Sequence, residues 1–215
     1  MRCDYQIIGT GSKGNAVMIN GNVLVDCGVS YKKLQPYVKG MCLVLLTHIH
    51  GDHFNASTVN RLAEERPTLR FGCGEWMVPS LVDAGVREKV IDIYEPEKIY
   101  DYGSMQISPV LLTHNVPNYG YKISFQKSKV FYATDTNDLN GISAPGYDLY
   151  MVEANYGEDE IHDRIKEKEV NGEYAYEKQV IHNHLSKEKC DEWITKNAAD
   201  WSEFIYMHSH NGEFS

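Results

Sequence analysis

The sequence contains no CxxC pair, and its five cysteines (Cys3, Cys27, Cys42, Cys73, Cys190) are odd in number. Neither a disulfide framework nor a cysteine zinc knuckle is therefore expected. No stretch approaches the roughly 20 apolar residues of a membrane span, and no apolar signal-type segment stands behind Met1-Arg2-Cys3-Asp4. The expectation is a protein made and kept in the cytoplasm, with no membrane partner. Basic residues are in the minority, 21 Lys+Arg against 30 Asp+Glu, for a net charge of -9. That excludes a broad basic surface that grips nucleic acid non-specifically. It leaves a nucleic acid substrate open, because divalent ions stand outside the formal sum and place positive charge where a phosphate must sit. Internal repeats, low-complexity tracts and linkers are also missing, so one domain over residues 1–215 is expected.

What is present reads as short strands broken by turns, then helices. Tyr5-Gln6-Ile7-Ile8 and residues 16–19 form two strands around the loop Gly9-Thr10-Gly11-Ser12-Lys13-Gly14-Asn15. Asn20-Gly21-Asn22 is a turn into a third strand from Val23. Residues 32–37 form a short helix disturbed by Pro36, and residues 42–46 an apolar strand buried on both faces. Cys3, Cys27 and Cys42 lie in or beside such runs and are expected as small buried hydrophobes. Helices are predicted over 56–65, capped by Asn55 or Ser57, over 75–84 with Gly85 past its end, and after Ser186 with the stripe Cys190, Trp193, Ile194, Ala198. Strands are predicted over 69–72, as several short pieces over 90–131, over 149–152 and over 204–207. The charged stretch 157–179 reads as a solvated helix and loop, with a mobile arm over the site as the alternative.

The chemistry concentrates in Thr47-His48-Ile49-His50-Gly51-Asp52-His53. His48 and His50 are two apart in extended chain, so both imidazoles project to one side and reach one ion. Asp52 and His53 follow a glycine turn and can serve a second ion nearby. Three imidazoles and a carboxylate in six residues form a first-row transition-metal set, with zinc the default and manganese or iron the alternatives. Further ligand candidates stand at the mouths of apolar strands: His114, Asp135 and His208.

The run resembles the HxHxDH signature of the metallo-β-lactamase superfamily, and nearly the whole chain follows that family's order of motifs. The resemblance implies an α/β fold, an αββα sandwich of two mixed β-sheets flanked by helices. It also implies that His48, His50 and His114 hold one metal, that Asp52, His53 and His208 hold the other, and that Asp135 bridges both. Other segments resemble the ribonuclease Z-like branch, with the compact WalJ/YycJ group of phosphodiesterases nearest. Gly9-Thr10-Gly11-Ser12-Lys13-Gly14-Asn15 is similar to its GSGSxGN loop. His114-Asn115-Val116-Pro117-Asn118-Tyr119-Gly120-Tyr121 is similar to its third motif, Glu153-Ala154-Asn155 to its EAT or ESN element, and Asn183-His184-Leu185-Ser186 to GHLS or HST. Tyr156-Gly157 departs from the His-Asp that commonly follows ESN, and no role is carried onto Tyr156. The basic arm with which ribonuclease Z docks transfer RNA has no clear counterpart, which counts against that substrate. The cysteine cluster of PhnP-type phosphodiesterases is missing.

The resemblance implies a dinuclear-metal phosphodiesterase, a nuclease or nucleotide hydrolase, in which a metal-bridging hydroxide oriented by Asp52 attacks phosphorus. His184 would protonate the departing oxygen and Glu153 would orient His184. Ser12 and Asn15 are expected either to contact phosphate or to shape a tight turn. His162, His182 and His210 read as surface or packing residues, and Tyr119 and Tyr121 as strand packing rather than base stacking. The alternatives are a thioester or cyclic-nucleotide hydrolase of the same fold and a binding protein that has lost its chemistry. A homodimer is possible.

Overall fold

In a computed structural model, residues 3–209 are described; His210 lies outside them. Two six-stranded sheets stack face to face, each laid down in chain order. The first consists of β1 (Tyr5–Gly9), β2 (Ala16–Ile19), β3 (Val23–Val25), β4 (Leu43–Leu45), β5 (Arg70–Cys73) and β6 (Ile91–Ile93). The pairings β1–β2 and β2–β3 are antiparallel and the rest parallel. The second consists of β7 (Tyr100–Asp101), β8 (Met105–Leu112), β9 (Asn118–Phe125), β10 (Lys129–Ala133), β11 (Leu149–Glu153) and β12 (Glu203–Met207). It too runs antiparallel first, then parallel from β10 to β12. The metallo-β-lactamase sandwich expected from the motifs is the fold observed.

Three apolar layers follow. Val17, Val25, Leu43 and Leu45 meet Ile107, Tyr121, Tyr132 and Met151 between the sheets. Outside the first sheet, Leu24, Val44 and Phe71 pack on α1 (Tyr31–Leu34), α2 (Ala56–Glu65) and α3 (Val78–Asp83), through Leu34, Leu62 and Leu81. Outside the second, Phe131, Tyr150 and Val152 receive Cys190, Trp193 and Ile194 of α6 (Lys187–Asn197). Strands buried on both faces give the unbroken apolar runs seen in β3, β4 and β11. Asn55 caps α2 by accepting from the Thr58 amide, and Ser186 caps α6 by accepting from the Lys189 amide.

Several boundaries differ from the sequence expectation. β4 begins at Leu43, and Cys42 is exposed rather than buried. The amides of Cys42 and Leu43 both turn to the Asn22 carbonyl, which leaves Cys42 on the rim; Cys3 and Cys27 are buried. Residues 90–131 hold two eight-residue strands, β8 and β9, not short pieces only. Pro109 lies inside β8, and its carbonyl accepts from the Glu97 amide on the β7 side. Its nitrogen points the same way, so the missing N–H removes nothing from the β9 ladder. The predicted helix over 75–84 is a 3₁₀ turn, Glu75–Met77, leading into α3. The charged stretch forms α4 (Glu158–Val170), a loop and the start of α5 (Glu177–Asn183), with a small core of Tyr156, Ile161, Ile165 and Ala175.

Candidate functional site

The C-terminal ends of β3, β4, β8, β10, β11 and β12 converge at one edge of the sandwich, and each delivers a polar residue: Asp26, His48, His114, Asp135, Glu153 and His208. His50, Asp52 and His53 follow β4 in the turn before α2, and His184 follows α5. Asp26, Asp135 and His208 all have left-handed backbone, at φ 62, 56 and 55. Non-glycine residues adopt this conformation rarely, and strain of this kind gathers at functional sites. It breaks the strand at its last residue and turns the side chain inward.

Two donor groups result. His48 Nε2 lies 3.1 Å from His50 Nδ1, which lies 3.4 Å from His114 Nε2, so three ring nitrogens face one another. Beside them, His53 Nε2 and His208 Nε2 each lie 3.7 Å from Asp52 Oδ2. Asp135 stands between the groups, 2.9 Å from His53 Nε2, 3.7 Å from His208 Nε2 and 3.9 Å from His114 Nε2. Asp135, Glu153, His184 and His208 also form a donor group of their own.

Hydrogen bonds at the far ring nitrogens fix the tautomers. His53 Nδ1 donates to Asp26 Oδ2 at 2.7 Å, His114 Nδ1 to the Asn183 carbonyl at 3.1 Å and His208 Nδ1 to Glu153 Oε1 at 3.0 Å. Thr47 Oγ1 donates to Asp26 Oδ1 at 2.8 Å, so its lone pair accepts from His48 Nδ1 at 3.0 Å. In its neutral form each of these four rings keeps its proton on Nδ1 and turns an Nε2 lone pair into the cluster, the arrangement that metal-ligating histidines need.

The charge balance points the same way. Asp26 and Glu153 are fully buried and Asp135 nearly so, and among the described residues no lysine or arginine pairs with them or with Asp52. Burial alone would lower the pKa of His53, but Asp26 and Asp135 outweigh it and raise it to about 10. Burial opposes the proton on His208 too, yet Asp135, Asp52 and Glu153 push its pKa well up. Buried acids without cations are costly, and divalent ions answer that demand. His208 Nε2 is buried with no hydrogen-bond partner. Asp135 Oδ2 is close to His53 but not aligned for a hydrogen bond. Both atoms fit coordination to an ion better than contact with each other's neighbours.

All seven residues expected as metal ligands meet in this cluster. Glu153 Oε1 lies 2.7 Å from His184 Nδ1, as the motif order implied, and the same oxygen also holds His208, which it did not. Ser12 is exposed on its loop. Asn15, expected either near phosphate or in a tight turn, is fully buried. Its Nδ2 faces His53 Nε2 at 2.8 Å and Asp52 O at 3.2 Å, and its Oδ1 accepts from Gly11, so the side chain ties the loop to the turn and is not free for a ligand. Tyr119 and Tyr121 are buried between the sheets, in the packing role expected. Sequence reasoning missed Asp26, although it closes an apolar strand just as Asp135 does. It also missed Asn155, whose Nδ2 donates to the His208 carbonyl at 2.8 Å.

A family model described as beta-lactamase superfamily domain matches residues 21–208. The chain belongs to the beta-lactamase superfamily. No curated protein matches this superfamily member by sequence. Among solved structures it is similar to YhfI, a metallo-beta-lactamase fold protein from Bacillus subtilis, with a TM-score of 0.74 at 17% identity over 99% of this chain and 89% of that one. It is similar to the short form of human tRNase Z, TM-score 0.71 at 16% identity, over 96% of this chain and 93% of that one. A diphosphatase of the PhnP family gives 0.65 at 15%, over 97% and 87%. At such identities the likeness establishes the fold. Members of the superfamily are mainly metal-dependent hydrolases, and the donor groups suit that class.

Proposed function

We propose that this superfamily member is a dinuclear-metal phosphodiesterase acting on a nucleic acid or nucleotide. His48, His50 and His114 would hold one divalent ion, Asp52, His53 and His208 a second, and Asp135 both, with zinc the expected metal. When bound, the ions lower the pKa of water and neutralise phosphate charge. Asp52, with 26% of its side chain exposed, is the carboxylate of the four that solvent reaches best, and it orients the attacking water.

The observation that carries the choice of reaction is His184. It sits at the rim with 19% of its side chain exposed, Nδ1 tied to Glu153 at 2.7 Å and Nε2 without a partner among the described residues. With Nδ1 donating to Glu153, the doubly protonated ring would give its Nε2 proton to the departing oxygen, and Glu153, which outweighs burial and raises the pKa of His184, would stabilise that imidazolium. Among the neighbours, one is named a tRNase and one a diphosphatase, names that both speak of phosphate esters or anhydrides. Ser12 would add a hydroxyl contact to phosphate from its exposed loop.

The test has two parts. Elemental analysis of the purified protein is expected to give two divalent ions per chain. Turnover of bis(p-nitrophenyl) phosphate is expected to exceed that of a thioester and of nitrocefin, and His184→Ala is expected to lower it by roughly 10² to 10⁴ with both ions retained. Faster turnover of thioester or nitrocefin would overturn the reading.

A further inference from the structure

A groove of about 620 Å³ lies outside the donor cluster, between the 137–143 loop and α6. It starts at the cluster's rim. Asn137, at that end, donates its backbone N–H to Thr113, next to His114, and its side-chain amide to the His182 carbonyl. Leu185, also in the lining, adjoins His184 and gives its N–H to Glu153. The groove is a preformed feature. Trp193 Nε1 donates to the Ile142 carbonyl at 2.9 Å, and Asn197 Oδ1 accepts from the Ala144 amide at 2.8 Å, which staples the loop to the helix.

Lys189 and Lys196, both exposed on the groove wall, have no ion pair among the described residues. They stand seven residues apart on one helix face, roughly 10.5 Å along its axis, or about three steps of a stacked strand at ~3.4 Å each. Of the acids nearby, Asp138 is turned back to accept from the Asn140 amide, and Glu192 lies between the lysines without an ion pair to either.

We infer that this groove is the track for a single-stranded polynucleotide leading away from the cluster, with Lys189 and Lys196 on its phosphates. The inference rests on the phosphodiesterase reading above and narrows it: the substrate is a chain of several nucleotides, not a lone cyclic nucleotide. Glu192 works against the strand electrostatically, so its neutralisation strengthens the hold.

The experiment measures binding of labelled 20-nucleotide single-stranded DNA and RNA by fluorescence anisotropy across a salt series. Turnover of bis(p-nitrophenyl) phosphate is followed in parallel. Lys189→Ala/Lys196→Ala is expected to weaken oligonucleotide binding about tenfold and to flatten the salt dependence by about 1.4 in log–log slope, two contacts at ~0.7 each. Bis(p-nitrophenyl) phosphate, which reaches no further than the cluster, is expected to turn over unchanged. Glu192→Gln is expected to tighten oligonucleotide binding. Unaltered binding in the double variant overturns the track, as does an equal loss on both substrates. A wild-type protein that leaves bis(p-nitrophenyl) phosphate intact breaks the phosphodiesterase reading instead, and the binding comparison still decides the track.

Discussion

The two halves of the donor cluster are built from different chemistry. One offers ring nitrogens alone, His48, His50 and His114, with His48 and His114 held from behind by neutral groups, the Thr47 hydroxyl and the Asn183 carbonyl. The other mixes Asp52 with His53 and His208, and its imidazoles are held from behind by carboxylates, Asp26 and Glu153. Protons follow the same division. Burial, helped by neighbouring imidazoles, drives His48 down to about 2, whereas the acids around His53 lift it to about 10 despite burial. An ion in the nitrogen half therefore meets neutral ligands. An ion in the carboxylate half displaces protons and cancels buried negative charge, so its binding is the more strongly tied to the stability of the fold.

This contrast can be broken in stages. The largest effect is expected from Asp135→Ala, since Asp135 faces both halves. Elemental analysis should find both ions lost, and activity should fall by more than the roughly 100-fold typical of groups behind a ligand. Two retained ions would show that the halves are independent. Next comes Gly28→Ala. A Cβ there would stand 1.7 Å from the Asp52 carbonyl oxygen, so the turn carrying Asp52 and His53 must move. Thermal unfolding should show a loss of about 1–3 kcal/mol, and metal analysis should show the ion of the carboxylate half released first. Asp26→Asn should weaken that same ion by roughly 10- to 100-fold, measured by chelator competition, while the nitrogen half keeps its own. Equal weakening of both ions would contradict the division. The smallest effect is expected from Ser12→Ala, about threefold in kcat/KM with metal content unchanged, the scale of one solvent-exposed hydrogen bond.

Much of this was legible in the sequence because the donors follow simple local rules. Apolar runs bounded by turns located the strands, and polar residues at their ends located His114, Asp135 and His208. Asp26 obeys the same rule and was passed over because no recognisable histidine motif surrounds it. Asn15 was read through its loop as either a phosphate contact or part of a tight turn; its buried amide also acts across the chain on Asp52 and His53, which lie far off in sequence. The double duty of Glu153, holding both His184 and His208, depends on β11 and β12 lying side by side in parallel register. Pairing between residues 54 positions apart, such as Glu153 and Met207, leaves no local trace. The groove beside α6 was invisible for a related reason: Lys189 and Lys196 read as ordinary surface charges until the 137–143 loop is seen opposite them.

The left-handed turn at His208 has a consequence for the order in which the protein is made. Ribosomes release a chain from its N-terminus, and every ligand of the nitrogen half has been synthesised by residue 114. The carboxylate half waits for residue 208, nearly a hundred residues later. Even then its last ligand is set in place by the beginning of the chain, for the His208 amide donates to Thr10 Oγ1 at 3.1 Å. A nascent chain thus has its first donor group complete long before the second can close. If the second donor group holds an ion as proposed, its capture would mark the moment at which Thr10 and His208 have met.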